Sequence, residues 1–257
     1  MSRTFTKHRA DAPSGFFQCE AAGLDWLRVA GGPRVVQVQD YSETELELEF
    51  LPAGVPTAPA AFDFGRRLAH LHQNVTTGFG AVPPNWNGNW FFGPLADVYE
   101  IPVREYPTWS QFFTASRLAP LRDFLEDTGQ LDPRLARGLD ALQEGIVAEN
   151  WGSDAPPVRV HGDLWAGNLM WSQGEAVLID PAAHANHPYT DLAMLELFGC
   201  PHLNDILAGY AQISDLPPPS NFDLAVHQVF PIGMHVVLFG AGYRPHLDGL
   251  LARVLDV

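Results

Sequence analysis

The run from Val158 to Asp180 constrains the chain more than any other stretch. Val158-Arg159-Val160 is a short apolar strand that opens into the polar loop His161-Gly162-Asp163-Leu164-Trp165-Ala166-Gly167-Asn168. Two apolar segments follow, Leu169-Met170-Trp171 and Ala176-Val177-Leu178-Ile179, separated by Ser172-Gln173-Gly174-Glu175. Strand, glycine-containing turn and strand read as a β-hairpin. Pairing Trp171 with Ala176 puts Asn168 opposite Ile179, so that Asn168 and Asp180 meet at the hairpin's open end. Opposed residues of an antiparallel pair lie about 4.5–5.5 Å apart at Cα, near enough for two side chains to share one ion. Asp163 stands at the mouth of the same loop. The fold must therefore bring three oxygen-bearing side chains to one point and leave that point open.

Such a group suits a hard cation. Mg2+ takes one or two protein oxygens and completes its shell with water and substrate phosphates. Asn168 and Asp180 are the candidate metal ligands. Asp163, not needed as a ligand, is the candidate catalytic residue, placed to orient and deprotonate a hydroxyl. Asp-x-x-x-x-Asn, with a later Asp closing a strand, is the spacing of kinase-type phosphoryl transfer. Asp163 or Asn168 alone would read as part of a polar turn. The whole constellation, with His161-Gly162 ahead and Pro181 behind, reads as a site.

The motif His161 to Asn168, followed by Ile179-Asp180-Pro181-Ala182 and by Asp191-Leu192-Ala193-Met194-Leu195-Glu196-Leu197-Phe198-Gly199, resembles the fructosamine kinase (ketosamine-3-kinase) family. That family lies within the aminoglycoside phosphotransferase-like small-molecule kinases. The His-Gly-Asp-x-x-x-x-Asn core is common to the wider group, whereas Trp165 with Gly167-Asn168 and the Leu-Glu-Leu-Phe-Gly run point to the narrower one. The resemblance implies an α+β, protein-kinase-like, two-lobed fold, with a small, N-terminally shortened, β-rich N-lobe and a mainly helical C-lobe. Residues 1–51 would form the N-lobe, 52–59 the linker and 60–257 the C-lobe. It implies ATP and Mg2+ as cofactors and a ketosamine sugar hydroxyl as acceptor, with aminoglycosides or choline-type amino alcohols as alternatives. Asp191 would tie down the backbone of the catalytic loop, supported by His161. Glu49-Phe50-Leu51 would lie along the adenine through their backbone groups. Trp165 would either stack on the sugar or pack under the loop. The resemblance also implies two strands and a phosphate-covering loop ahead of Lys7, yet only six residues precede that lysine. A non-catalytic, kinase-like binding module is therefore the contrasting expectation.

Taken in order, Thr4–His8 reads as a strand carrying Lys7, and 16–30 as a helix ended by Gly31-Gly32-Pro33. Phe17, Glu20, Leu24 and Leu27 share one face of that helix. A carboxylate inside an apolar stripe is costly unless paired, and Lys7 is the candidate partner. A strand lysine braced by a helix glutamate is how kinases hold the nucleotide phosphates. Residues 35–40 and 46–51 read as a hairpin, 52–59 as a proline-rich linker and 60–73 as a helix. His70 and His72, two apart, point different ways and make no metal pair. The stretch 74–107 has no period and many aromatics, so it reads as an ordered loop, either walling a substrate site or anchored by its rings. Thr108-Trp109-Ser110-Gln111 fits a capping box for a helix running to Glu126, with another over 133–150. Arg104 and Arg117 read as surface arginines unless they face an acidic substrate group. His184 to Pro188 reads as a loop, 192–198 as a helix, 221–240 as a helix bent at Pro231, and 247–255 as the last helix.

Composition limits the partners. With 15 Lys and Arg against 30 Asp and Glu, the net charge is −15. That argues against nucleic acid or an anionic membrane, both of which demand a basic surface. A small molecule is the expected partner, and the chain is expected to be a monomer or homodimer. Cys19 and Cys200, the only two cysteines, show neither metal nor disulfide spacing, which fits a reducing compartment. The first residues lack the apolar core of a signal peptide. A cytoplasmic location is the expectation.

Overall fold

The structure, a computed structural model, describes residues 3–255 except 94, 95, 97 and 153. Parts of the expectations for the N-terminus and for 74–107 thus lie outside the described residues. The chain opens with strand β1 (Thr4–His8), helix α1 (Phe16–Trp26) and strands β2 (Arg34–Val35), β3 (Val38–Tyr41) and β4 (Glu45–Glu49). β1, β4 and β3 form an antiparallel sheet in that order. Leu46 and Leu48 are buried while the alternate glutamates stay partly or wholly in water, as a half-buried strand requires. The α1 stripe of Phe17, Glu20, Leu24 and the following Leu27 is buried too. Helix α1 stops at Trp26 rather than near Ala30: the Arg28 amide bonds the Asp25 carbonyl in place of that of Leu24, and the Trp26 carbonyl accepts from Arg159 Nη1 at 2.8 Å. The expected 35–40 arm also divides. Only Val38–Tyr41 joins the hairpin, and Val36 and Gln37 separate it from β2.

Helix α2 (Ala58–Leu71) starts under a Thr57 cap, whose hydroxyl accepts from the Ala60 amide. Phe64, Leu68 and Leu71 face inward. The aperiodic stretch that follows contains an unforeseen hairpin, β5 (Trp90–Phe92) with β6 (Tyr99–Ile101). Its strands are too short to show a period.

The single helix expected after Thr108 is broken into α3 (Trp109–Phe113), a π-helical turn over Thr114–Leu118, and α4 (Ala119–Asp127). Pro120 supplies the reason. It has no N–H to give the Ser116 carbonyl one turn back. The Ala119 amide instead reaches Thr114 O, an i→i+5 bond, and Arg117 Nη1 takes the freed Ser116 O at 2.7 Å. This rotation turns Arg117 inward. It is 5% exposed, which overturns its reading as a surface arginine. Helix α5 (Pro133–Glu149) then runs from an Asp132 cap to Asn150 in the left-handed conformation.

Strands β7 (Val158–Val160), β8 (Leu169–Ser172), β9 (Glu175–Leu178) and β10 (His184–Asn186) come next. β8 and β9 form the expected hairpin with Trp171 opposite Ala176. β2 pairs with β9 in parallel, which ties the N-terminal region to this hairpin. The His184 segment, expected as a loop, is a strand because it pairs antiparallel with β7. Helices α6 (Tyr189–Leu197), α7 (Leu203–Ala211), α8 (Asn221–Phe239) and α9 (Arg244–Leu255) complete the chain. Helix α8 is long and apolar enough to cross a membrane, but it is mostly buried against its neighbours and serves as a core helix.

Helices α2 and α7 touch backbone to backbone. A Cβ on Gly65 would overlap the Ile206 carbonyl, and one on Gly209 would overlap that of Phe62. Neither carbonyl can rotate away without breaking its helix. Gly65→Ala or Gly209→Ala is therefore expected to destabilise the fold by about 1–3 kcal/mol, the usual cost of overpacking. The shift in urea midpoint measures it, and an unchanged midpoint would show that the helices can part freely.

Candidate active site

The loop after β7 is fastened from below. Asp191, at the start of α6, accepts the His161 amide at 2.8 Å and the Gly162 amide at 2.9 Å. His72 Nε2 donates to the same carboxylate at 3.1 Å, while His72 Nδ1 accepts from the Tyr210 hydroxyl at 2.9 Å. Burial pushes the Asp191 carboxyl up, but the His72 bond and the neighbouring donors hold it below its ordinary value. His161 donates through Nε2 to the Ile179 carbonyl at 2.8 Å and accepts the Asp163 amide at Nδ1. Burial lowers its pKa, which keeps the ring neutral, and the two backbone partners fix that tautomer. Gly162 has φ +83°, and a Cβ there would strike the Ala182 carbonyl. Only glycine fits.

The hairpin delivers the expected side chains. The Ile179 amide donates to Asn168 O at 3.1 Å, so Asn168 and Asp180 sit together at its open end. Asn168 Nδ2 donates to Asp163 Oδ2 and to the Asp163 carbonyl, each at 2.8 Å, which leaves its side-chain oxygen as an acceptor. Asp180 adopts φ +53°, the left-handed region that Asp tolerates better than most residues. Lys7 Nζ lies 2.7 Å from Glu20 Oε1 and 2.7 Å from Asp180 Oδ1. Burial alone would lower the Lys7 pKa, but Glu20 and Asp180 outweigh it and hold the ammonium above its ordinary value. Asp163 is pushed up to about 7, chiefly by removal from water and further by Asp180 and Asp191, against the pull of the Asn168 bond.

These groups occupy one end of a cleft of about 690 Å³. The other wall is aromatic. Trp165 meets Phe198 at 6.2 Å between centroids, Phe198 meets His235 at 5.1 Å, and His235 meets Phe239 and Tyr243 at 5.4 and 4.9 Å. Trp165 leans on the bare backbone of Gly167, where any Cβ would overlap its ring. Phe91, from the β5–β6 hairpin, and Phe16 also line the cleft. Of the cleft's aromatics the sequence singled out Trp165, and it offered those of 74–107 as either a substrate wall or anchors. Trp90, Phe91 and Phe92 do line the cleft, whereas Phe198, His235, Phe239 and Tyr243 were not foreseen as lining. The i, i+4, i+8 spacing of His235, Phe239 and Tyr243 was the available signal, but core packing gives the same pattern.

Glu49, Phe50 and Leu51 are not among the cleft's lining residues. The Glu49 carboxylate bonds Arg34 Nη2 at 2.9 Å and the Gln37 amide at 3.0 Å, while the Phe50 amide donates to Arg3 O at 3.1 Å. The structure does not bring these three to the charged group. No cluster of three His, Cys, Asp or Glu side chains suited to a metal occurs among the described residues. A Mg2+ site needs none, because one or two protein oxygens and the phosphates suffice. The donor set of Asn168 and Asp180 fits that chemistry, and the Lys7 ammonium already marks the position as one that favours positive charge.

The sequence profile described as fructosamine kinase matches residues 1–257. A protein of Thermus thermophilus named "Probable ketoamine kinase" is 31% identical over 245 residues, covering 95% of this chain and 84% of its own. A crystal structure from Thermobifida fusca, provisionally named a fructosamine-3-kinase, superposes with a TM-score of 0.87 at 35% identity, covering 100% of this chain and 86% of that one. The choline kinase LicA of Streptococcus pneumoniae shares the fold alone, with a TM-score of 0.63 at 14% identity over 100% of this chain and 87% of its own. The fold of the chain is thus that of a protein-kinase-like phosphotransferase. The chain belongs to the fructosamine kinase family, whose members are ATP-dependent kinases.

Proposed function

We propose that the protein transfers the γ-phosphoryl group of MgATP to a sugar hydroxyl of a ketosamine, a deglycation-type reaction. One observation carries this reading: Asp163, Asn168, Asp180 and Lys7 converge at one end of a cleft whose other wall is a run of aromatic rings. Asn168 and Asp180 would hold Mg2+, which neutralises charge on the transferring phosphoryl group. Lys7, braced by Glu20, would turn from Asp180 to the nucleotide phosphates. Asp163 would accept the acceptor hydroxyl's proton and hold its oxygen in line. The aromatic wall, with Trp165 nearest the reacting end, would take the face of the sugar and its amine substituent. No covalent enzyme intermediate is needed.

The direct test is incubation with MgATP and fructoselysine, followed by product mass and ADP release. A phosphorylated fructoselysine is expected. Phosphorylation of choline or an aminoglycoside without that of any ketosamine would overturn the substrate assignment.

The environment of Asp163 sets a pH dependence. Its carboxyl must be ionised to accept a proton, and in the free protein it loses its own only near pH 7. Because kcat/KM reports the free enzyme, it is expected to rise about tenfold per pH unit up to about 7 and then level. A plateau that extends down to pH 5 would remove Asp163 as the base.

A further inference from the structure

Arg117 is out of place by ordinary rules. It is buried, and among the described residues no carboxylate pairs with it; removal from water alone lowers its pKa. Its one hydrogen bond there goes to the Ser116 carbonyl. Its guanidinium carbon lies 4.5 Å from the Trp90 ring centroid, 4.6 Å from that of Phe112 and 5.2 Å from that of Phe230. Ring faces offset part of the cost of burying the cation. They do so over its flat faces, whereas its N–H donors point outward around the edge. The indole Nε1 of Trp90 is also buried and has no partner. Two small cavities, of about 20 and 10 Å³, are both lined by Trp90, Arg117 and His184. His184 brings no compensating charge. It spends Nδ1 on the Ala182 carbonyl and receives Asn186 Nδ2 at Nε2.

We infer that the larger of these cavities is a binding site for a single halide-sized anion, chloride being the abundant example, with Arg117 as its counter-charge and the Trp90 indole among its donors. The volume admits one body of about the size of a water molecule, which excludes phosphate or a carboxylate. Water would satisfy donors but would leave the buried cation uncompensated, and that deficit is the costly part. Gly162 lines the same cavity. The anion therefore lies under the turn that carries Asp163, where it would hold the loop's support in place. Pro120 is the root of the arrangement, since it forces the π-turn that points Arg117 inward.

Thermal unfolding at constant ionic strength, with sodium chloride exchanged for sodium gluconate, tests the site. Chloride is expected to raise the melting temperature saturably by about 5 °C, and Arg117→Met should abolish the dependence. Trp90→Phe, which keeps the ring and removes the N–H, should raise the half-saturating chloride concentration about tenfold. In crystals grown with bromide, an anomalous peak is expected beside Arg117. Equal melting in both salts, or a bromide-soaked cavity holding water only, would overturn the inference. If Arg117→Met does not fold, the bromide crystal of the unaltered protein still decides.

Discussion

Asp163→Ala is expected to lower kcat by about 10³-fold or more while MgATP still binds. General-base catalysis contributes about 10²–10⁴-fold in such sites, and in the proposed mechanism Asp163 would also align the acceptor, so the loss should fall in the upper part of that range. Nucleotide binding should persist, because the proposed metal and phosphate contacts come from Asn168, Asp180 and Lys7. Isothermal titration with MgATP and a single-turnover assay on fructoselysine measure the two arms. Turnover within tenfold of the unaltered protein would take the base role from Asp163. The conservative Asp163→Asn separates charge from shape. In the folded protein this carboxyl resists ionisation, with its pKa raised from 3.8 to about 7. Its charge therefore opposes folding fully above pH 7 and not at all below the unfolded value. The asparagine variant, equally inactive, should melt several degrees higher than the unaltered protein at pH 8 and at the same temperature near pH 3.

Asp180→Ala is expected to abolish transfer by a different route, by removing the proposed metal site. Mn2+ added with ATP should give the electron-paramagnetic signature of a bound ion in the unaltered protein and none in the variant. Turnover should fall by about 10³-fold or more, since phosphoryl transfer depends on the metal's hold on the phosphates. The fold should survive. Asp180 is 41% exposed at its side chain, and Lys7 keeps its bond to Glu20. Asp180→Asn keeps one neutral oxygen and should retain weak Mn2+ binding. A full Mn2+ signal in the alanine variant would place the metal elsewhere.

The parts of this arrangement legible in the sequence are those written in short-range pattern. The β8–β9 hairpin follows from alternation around a glycine turn. The partnership of Lys7 and Glu20 follows from a carboxylate stranded in an apolar stripe. Both are arguments about neighbours within a few residues or about a charge that must be answered. What stayed hidden depends on contacts between distant segments. The parallel pairing of β2 with β9 joins Arg34 to Val177, and nothing near Arg34 announces it. The aromatic wall draws on the loop at Trp165, the end of α6 and the end of α8. Arg117 was misread because a helix with one internal proline looks continuous until the missing amide is followed to the carbonyl it abandons. The end of α1 likewise involves a distant segment, since Arg159 on another strand takes the Trp26 carbonyl.

The bare backbone at Gly167 has a consequence for selectivity. Trp165 rests on it with no gap, so even a methyl group there would displace the indole that lines the cleft. With the acceptor placed as proposed, position 167 would act as a shim that sets the width of its slot without meeting it. On that placement, swapping this one hydrogen for a side chain should change which acceptors are taken while leaving MgATP binding unchanged.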